Sequence, residues 1–456
     1  MAWLLNLATS ISNFLWDYIL IFLLCGTGIF LTFKLNFVQV RKFKEGWNMV
    51  FGGIFSKEQR KTSDSSMTSF QALATAIAAQ VGTGNLAGVA NAIAIGGPGA
   101  IFWMWISAFF GMATIYAEAT LAQKFKKTDE NGVVTGGPVY YIKAAFTGTF
   151  GRILAGCFAV FIIFALGFAG NMVQSNSIGS SFQNAFGINP LIVGIVIALA
   201  TFFVVVGGLK RIAKFTELVV PIMAVFYIVG GLIVVIANYK NIGNIFEQIF
   251  VGAFNPQAVA GGVIGYTIKL AIQKGVQRGL FSNEAGMGST PHAHAVANVK
   301  HPCQQGAVAI MGVFVDTFIV LNITAFVIIG SGVLVPGGAL QGIDLTQAGF
   351  STVFGSFGSV FIAICMFFFA FSTIIGWYFF GEANVKYLFG KKAVKVYAVI
   401  VCALIVVGST LKVDLVWTLS DLFNGLMVIP NCIGLLALTG LVCKLSKEYD
   451  SRDLRK

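Results

Sequence analysis

Apolar residues run through this chain in long unbroken stretches, and do not alternate as they do on a half-buried strand or a surface helix. Runs of about 20 apolar residues are long enough to cross a bilayer. Eleven can be marked, at 16–33, 68–97, 100–122, 152–176, 190–208, 216–237, 259–290, 304–332, 353–381, 396–411 and 415–443. The pattern predicts an all-α polytopic membrane protein of about 11 transmembrane helices, a single domain over 1–456 with no linker or low-complexity tract to divide it. Two runs are interrupted. VGTGNLAG (81–88) in the second has glycine at three of its eight positions, and each glycine is about 1 kcal/mol worse than alanine inside a helix. QKGVQRGLFSNEAGMGST (273–290) breaks the seventh in a similar way.

The two interruptions lie five spans apart. A unit with an odd number of crossings must enter from the opposite face when it is repeated, so 68–237 and 259–443 read as inverted repeats. The helix at 16–33 is then an extra N-terminal element, and 444–456 is a tail. The plain alternative is that membrane helices are glycine-rich in general. Against it, non-helical backbone at membrane depth survives only where protein or a water-filled cavity satisfies its N–H and C=O groups, so VGTGN should border a cavity. Such a break exposes the carbonyls that end one half-helix, suited to a monovalent cation, and the amides that start the next, suited to a carboxylate. No lysine follows the glycines, which argues against a nucleotide-phosphate loop.

Composition agrees with the pattern, with 57% hydrophobic and 11% charged residues, far from a soluble domain. The formal charge of +12 raises the question of nucleic acid, and the placement of the cations answers it. On this span count 28 of the 30 Lys and Arg fall on alternate loops, leaving Lys240 and Lys412 for the other side. That bias is the positive-inside rule. It predicts an N-terminus outside and a cytoplasmic C-terminus in the plasma (inner) membrane, and explains the charge by contact with anionic membrane lipid, with no nucleic acid partner. No Lys or Arg precedes the first run and no A-x-A site follows it, so the run reads as a retained helix. The seven cysteines are scattered without a C-x-x-C and read as packing residues. In the 123–151 loop a Gly-Gly-Pro turn followed by Tyr140, Tyr141 and Phe146 reads as a short interfacial helix.

Several polar residues inside spans are candidates for chemistry. Asn171 and Gln174, in GFAGNMVQSNS at the end of the fourth run, can bind a substrate amine through an amide carbonyl, or simply mark a helix end entering water. Trp377 can wall a pocket, although interfacial tryptophan is the commoner meaning. Glu118, Glu284, Asp316, Glu382 and Asp421 lie in or beside spans, where acids are expensive. Glu284 with Asn283 reads as a structural latch near Arg278 on the cytoplasmic side. Asp316, mid-helix in GVFVDTFIV, carries no assignment. His292 and His294 with Glu284 invite a metal reading, but with no further ligand nearby a helix end is preferred. No Ser-His-Asp, zincin or paired-carboxylate constellation is visible, so the chain does not read as an enzyme.

Four stretches carry a resemblance: residues 81–125 from VGTGNLAGVANAIAIGG onward, GNMVQSNS (170–177), GLFSNEAGMGSTPHA (279–293) and FSTIIGWYFFGE (371–382). Through them nearly the whole chain resembles the alanine or glycine:cation symporter family. The resemblance implies a LeuT-type 5+5 inverted repeat with broken helices 2 and 7. It also implies sodium-coupled, less often proton-coupled, uptake of small neutral amino acids such as alanine or glycine. V-G-T-G-N is similar to the V-G-x-G-N break of that fold. Ala78 and Val81 then offer carbonyls to the co-transported sodium ion, which Phe369, Ser372 and Thr373 complete. Thr83 and Gly84 present amides to the substrate carboxylate, with Asn171, Gln174, Thr373 and Trp377 around the substrate. Gln80 departs from the small residue expected before Val81, and either reaches substrate or pairs with backbone. A channel or sensor on the same fold is the alternative function. Oligomeric state, alanine against glycine, isomer and coupling ion stay open.

Overall fold

The computed structural model describes residues 2–52, 66–128, 132–255, 267–335 and 337–451. Lys57, Arg60 and Lys61 of the first basic loop, the start of the seventh run at 259–266, and 452–456 of the tail lie outside the described residues. The spans are α1 (Leu5–Lys34), the bent pair α2a (Ser69–Gln80) and α2b (Gly84–Gly96), α3 (Ala100–Lys124), α4 (Gly148–Phe186), α5 (Pro190–Val205) and α6 (Gly208–Ala237). They continue as α7 (Ile268–Asn283), α8 (Pro302–Gly330), α9 (Ser356–Phe389), α10 (Ala393–Thr410) and α11 (Val413–Ala437). Among the described residues eight unbroken helices are long and apolar enough to cross a membrane, and the α2 pair, bent by 46°, makes a ninth. At 16 residues each, α5 and α7 are shorter.

Each predicted run therefore has a helix, but α1, α4 and α9 extend well past theirs. An apolar run reports the part of a helix in hydrocarbon and is blind to polar turns beyond it. The helices Ile242–Phe254, Gly342–Phe354 and Thr439–Ser451, 13 residues each, are too short to register as runs of their own. The first two pack on the face that carries the N-terminal end of α1. Asn241 Nδ2 donates to Gly330 O at 2.9 Å and Asn184 Nδ2 to Asp344 Oδ1 at 2.6 Å. The third runs on from α11 on the opposite face, where Asp450 meets Arg41 and Lys42.

The expected short helix in the 123–151 loop is present at Pro138–Ala145, with proline in its first turn where a missing N–H costs nothing. Tyr141, expected at the interface, is instead fully buried and its hydroxyl donates to Asn431 Oδ1. A second correction concerns charge. Lys269 pairs with Asp17 at 3.4 Å and Gln273 also bonds Asp17, so the α7 cations Lys269, Lys274 and Arg278 lie on the amino-terminal face and not with the basic loops. Arg278, read as lying near Glu284, turns to a partner on another helix. It forms a bidentate pair with Asp421, both N–O distances 2.8 Å, with its guanidinium 4.4 Å from the Trp417 ring. The physical reason is the helix itself: α7 runs inward from that face, and six residues of helix put the two side chains at different depths.

α2a starts at a capping box, Thr68 Oγ1 accepting from Gln71 N at 3.0 Å while Gln71 Oε1 accepts from Thr68 N at 3.0 Å. It stops at Val81, whose ψ of 88° leaves the helical region. α7 stops at Glu284 (φ 59°), and Gly286 (φ 87°) and Gly288 (φ 80°) carry the chain around to the short helix Pro291–Ala295. That turn is held by Glu118 of α3. Its carboxylate accepts from Gly286 N at 3.2 Å, Gly288 N at 2.9 Å and Asn431 Nδ2 at 2.6 Å. Replacing Glu118 by alanine should strand the two buried backbone amides, each costing about 1–3 kcal/mol, while Asn431 Nδ2 keeps its bond to Gly286 O at 2.9 Å. Glu118→Ala is therefore expected to lower the melting temperature of the purified protein sharply, and a melt superimposable on the parent's would show that the turn does not depend on it.

Candidate cation and substrate site

The α2 break meets α4, α7, α8 and α9 in the interior, and every candidate site residue except the glycine and the two small alanine and valine positions is held by side-chain contacts there. Ala78, Gln80, Val81, Thr83, Gly84, Asn171, Gln174, Phe369, Ser372, Thr373 and Trp377 are all buried. Thr373 Oγ1 lies 2.8 Å from Ala78 O, 3.0 Å from Phe369 O and 3.5 Å from Val81 O. Ser372 Oγ lies 2.9 Å from Phe369 O and 3.5 Å from Ala78 O. Three carbonyls and two hydroxyls thus converge, from segments 295 residues apart in the chain. Both hydroxyls bond back to their own helix, as Ser and Thr commonly do in membrane helices, yet both also reach across to the broken end of α2a.

This closeness accounts for the glycine that opens the break. A Cβ on Gly82 would stand 2.3 Å from Thr373 Oγ1 and 3.1 Å from Gln174 Oε1, so only a bare backbone lets α2 approach α9 and α4 together. Gly84 lies equally close to α7, a Cβ there falling 3.0 Å from Ser282 Cα. The two breaks are in contact. Asp316 of α8 ties them, accepting from Asn85 Nδ2 at 2.7 Å, Ser282 Oγ at 2.8 Å and Thr317 Oγ1 at 2.9 Å. Gln80 adds a second tie, its Nε2 donating to Asn283 O at 2.7 Å. Of the two roles open to it in the sequence, backbone pairing is the one the geometry displays.

On α4, Asn171 and Gln174 are one turn apart and leave atoms of opposite character. Asn171 Nδ2 donates to Gly167 O at 3.1 Å, and its buried Oδ1 has no donor. Gln174 Oε1 accepts from Thr83 N at 3.1 Å and Thr83 Oγ1 at 2.6 Å, and its buried Nε2 has no acceptor. A carbonyl and an N–H partner respectively fix which end of each amide faces them, so the orientations follow from chemistry. The Thr83 amide, expected to face a carboxylate, is instead satisfied by Gln174.

Trp377 of α9 packs closely against α4, since a Cβ on Gly170 would stand 2.5 Å from its Cζ3. Its Nε1–H donates to Glu284 Oε1, and its ring meets Phe281 edge-on at 5.8 Å. Phe281 in turn packs on Trp417, ring centroids 4.9 Å apart. Trp417, Arg278 and Asp421 line a cavity of about 890 Å³ that opens on the amino-terminal face between Asn6, Asn91 and Asp344. Glu284, Phe281 and Asp316 are the residues whose place at the site the sequence did not reveal. The only signal was the cost of two acids at membrane depth. His292, raised as a metal ligand, faces Ser289 O through Nδ1 at 2.7 Å and Asn384 through Nε2 at 2.9 Å, between the rings of Phe158 and Phe380.

A broken-helix bundle whose two breaks enclose a buried polar site is the architecture of a secondary transporter, and not of an enzyme. The sodium:alanine symporter family matches residues 1–456, and the chain belongs to that family. It is 44% identical over 454 residues to the sodium/alanine symporter AgcS of Methanococcus maripaludis, covering 99% of this chain and 98% of that one. The probable sodium/glutamine symporter GlnT of Bacillus subtilis is 43% identical over 440 residues, covering 96% of this chain and 89% of its own. Among solved structures, MhsT in complex with L-phenylalanine superposes with a TM-score of 0.59 at 14% identity, over 85% of this chain and 99% of that chain. That likeness establishes the LeuT-type fold.

The close approach at Gly82 makes a direct test of the site's packing. Gly82→Ala forces overpacking worth about 1–3 kcal/mol between α2, α4 and α9, and should cut uptake of the transported amino acid by roughly five- to 150-fold. Gly243→Ala, where nothing lies within 4 Å of the added carbon, is expected to match the parent. Equal uptake by both variants would place the functional break elsewhere.

Proposed function

We propose that this symporter couples inward sodium flow to the uptake of a small neutral amino acid, alanine or glycine, by alternating access. The observation that carries the reading is the convergence of Ala78 O, Val81 O, Phe369 O, Ser372 Oγ and Thr373 Oγ1. Five uncharged hard oxygens suit a monovalent cation, which takes the ligand type of calcium but needs less negative charge around it. With sodium seated, both hydroxyls turn their lone pairs to the ion, and the ion bridges the α2 break to α9. Binding at the break then favours binding of substrate beside it, and the coupling is reciprocal.

The substrate reading rests on the two unpartnered atoms of α4. Asn171 Oδ1 is the acceptor for an ammonium group, and Gln174 Nε2, with the start of α2b at Gly84, donates to the carboxylate. Trp377 stands over the remaining space and limits the side chain. AgcS is named for alanine and GlnT for glutamine, so pocket size is the property that separates the family's substrates. The positive-inside bias, with the α7 cations moved, still favours an N-terminus outside and a cytoplasmic C-terminus in the plasma membrane. The cavity over Trp417 is then an outer vestibule, with the Arg278–Asp421 pair and Phe281 between it and the site. The repeats are 68–237 and 259–443.

Labelled alanine in vesicles with and without a sodium gradient separates a symporter from a channel: accumulation only with the gradient is expected, and equilibration in both cases would favour a channel. Thr373→Val keeps the shape and removes one oxygen, at a cost on the order of 1–3 kcal/mol. The half-saturating sodium concentration should rise by roughly five- to 150-fold, with alanine affinity restored at saturating sodium. An unaltered sodium dependence would make Thr373 a back-bonded helix residue and no more. Trp377→Ala should weaken alanine binding and admit larger neutral amino acids, and unchanged selectivity would remove Trp377 as the wall.

A further inference from the structure

Glu284 is a fully buried acid whose place in the molecule is unusual in three ways. It ends α7 in the left-handed region, φ 59°, a backbone state that costs a residue with a side chain roughly 1 kcal/mol or more. Glycine, used at Gly286 and Gly288 of the same turn, would avoid that cost, so the backbone does not ask for glutamate. Among the described residues no Lys, Arg or His forms an ion pair with it. Both of its oxygens are nevertheless engaged. Oε1 accepts from Trp377 Nε1–H, and Oε2 accepts from Ser289 Oγ at 2.5 Å. The carboxylate therefore spans the α7 break, from the residue that ends one half-helix to the residue just ahead of the next, and its free end holds the indole of α9.

The indole is fully buried, a Cβ on Gly170 would stand 2.5 Å from its Cζ3, and Phe281 meets it edge-on with ring centroids 5.8 Å apart. The N–H is the single polar anchor, and it lies four residues beyond Thr373 on the same helix. We propose that Glu284 is a positioning residue for substrate selectivity: by holding the Trp377 indole at a fixed angle beside Gly170 of α4, it sets the largest side chain the pocket accepts. Ser289 keeps the carboxylate turned toward the indole. The proposal rests on the reading of Trp377 as the pocket wall, and it assigns to the α7 break a share in specificity that the cation and amine contacts do not supply.

Selectivity is read as competition of valine and leucine with labelled alanine uptake. Glu284→Ala frees the indole, so the larger amino acids should compete roughly ten- to 200-fold better relative to alanine. Glu284→Gln retains a carbonyl acceptor and should keep selectivity near the parent's. Trp377→Phe removes the N–H while leaving a ring, and should relax selectivity as Glu284→Ala does. In the double variant the two effects should not add, because they delete one interaction. Additive effects, or parental selectivity in Glu284→Ala, would overturn the proposal. If Glu284→Ala does not fold, Trp377→Phe decides alone, and its unchanged selectivity counts against the anchor. A spectroscopic arm is independent of transport. The indole ¹⁵N–¹H signal that disappears in Trp377→Phe should move upfield in Ser289→Ala and Glu284→Ala and stay in place in Glu284→Gln. An unmoved signal in Glu284→Ala refutes the anchor, whereas a parent that does not accumulate alanine refutes the symport reading and leaves the anchor standing.

Discussion

Backbone that leaves the helix inside a membrane has to find its hydrogen bonds in the protein, and this bundle is organised around two places where that happens. The α2 break gives up regular helix bonding at the amides of Gly82 and Thr83, just after Val81 N makes its last helical bond to Ile77 O. Gly82 N then donates to Asn85 Oδ1 and Thr83 N to Gln174 Oε1, while the carbonyls of Ala78 and Val81 turn toward the hydroxyls of α9. The α7 break is satisfied by a carboxylate, with Glu118 taking the amides of Gly286 and Gly288. Each break is therefore stitched to helices distant in the chain, and the site is the region where the stitches meet.

Three fully buried acids, Glu118, Asp316 and Glu284, form no ion pair among the described residues and are held through neutral donors. Glu118 holds the α7 turn, Asp316 joins the two breaks through Asn85 and Ser282, and Glu284 joins the α7 break to Trp377. A carboxylate taken from water is costly unless it receives hydrogen bonds, and each of the three receives two or three. The arrangement links the two breaks through α8, so on the proposed reading a cation that draws α2a toward α9 alters the geometry on the substrate side as well. Thr373 and Gln174 both touch the space beside Gly82, which puts the proposed cation and substrate groups within one packing unit.

The opposing ends of the molecule are held differently. On the amino-terminal face an ion pair, Arg278 with Asp421, lines the large cavity and sits over the Trp417 ring, which packs in turn on Phe281. On the opposite face Lys42 is buried between Glu45 and Asp450, at 3.0 and 2.7 Å, so the helix Thr439–Ser451 is tied to the segment after α1. Ion pairs and aromatic stacks close both ends, and such contacts can separate and re-form without unfolding a helix.

Much of the architecture was legible in the chain because hydrocarbon enforces it. Long apolar runs can only be spanning helices, cations collect on one side, and a glycine-rich polar stretch in such a run has to be a break facing something polar. Those constraints are local, and they located the spans and the two breaks, while the family motifs supplied Ala78, Val81, Asn171, Ser372 and Thr373 as the proposed site residues. What the sequence could not contain was partnership across the bundle. Glu284 and Arg278 are six residues apart in the chain, yet helix geometry sends one to Trp377 and the other to Asp421, 143 residues on. Tyr141 looks interfacial beside its proline turn, and is buried because Asn431 of α11 reaches it. Lys269, Lys274 and Arg278 look like part of a basic loop, and lie on the other face because α7 is a short half-helix that begins there. In each case the residue's own chemistry was visible but its neighbour was decided by how helices far apart in the chain pack, since hydrogen bonds and ion pairs act over a few ångströms of space and not along the sequence.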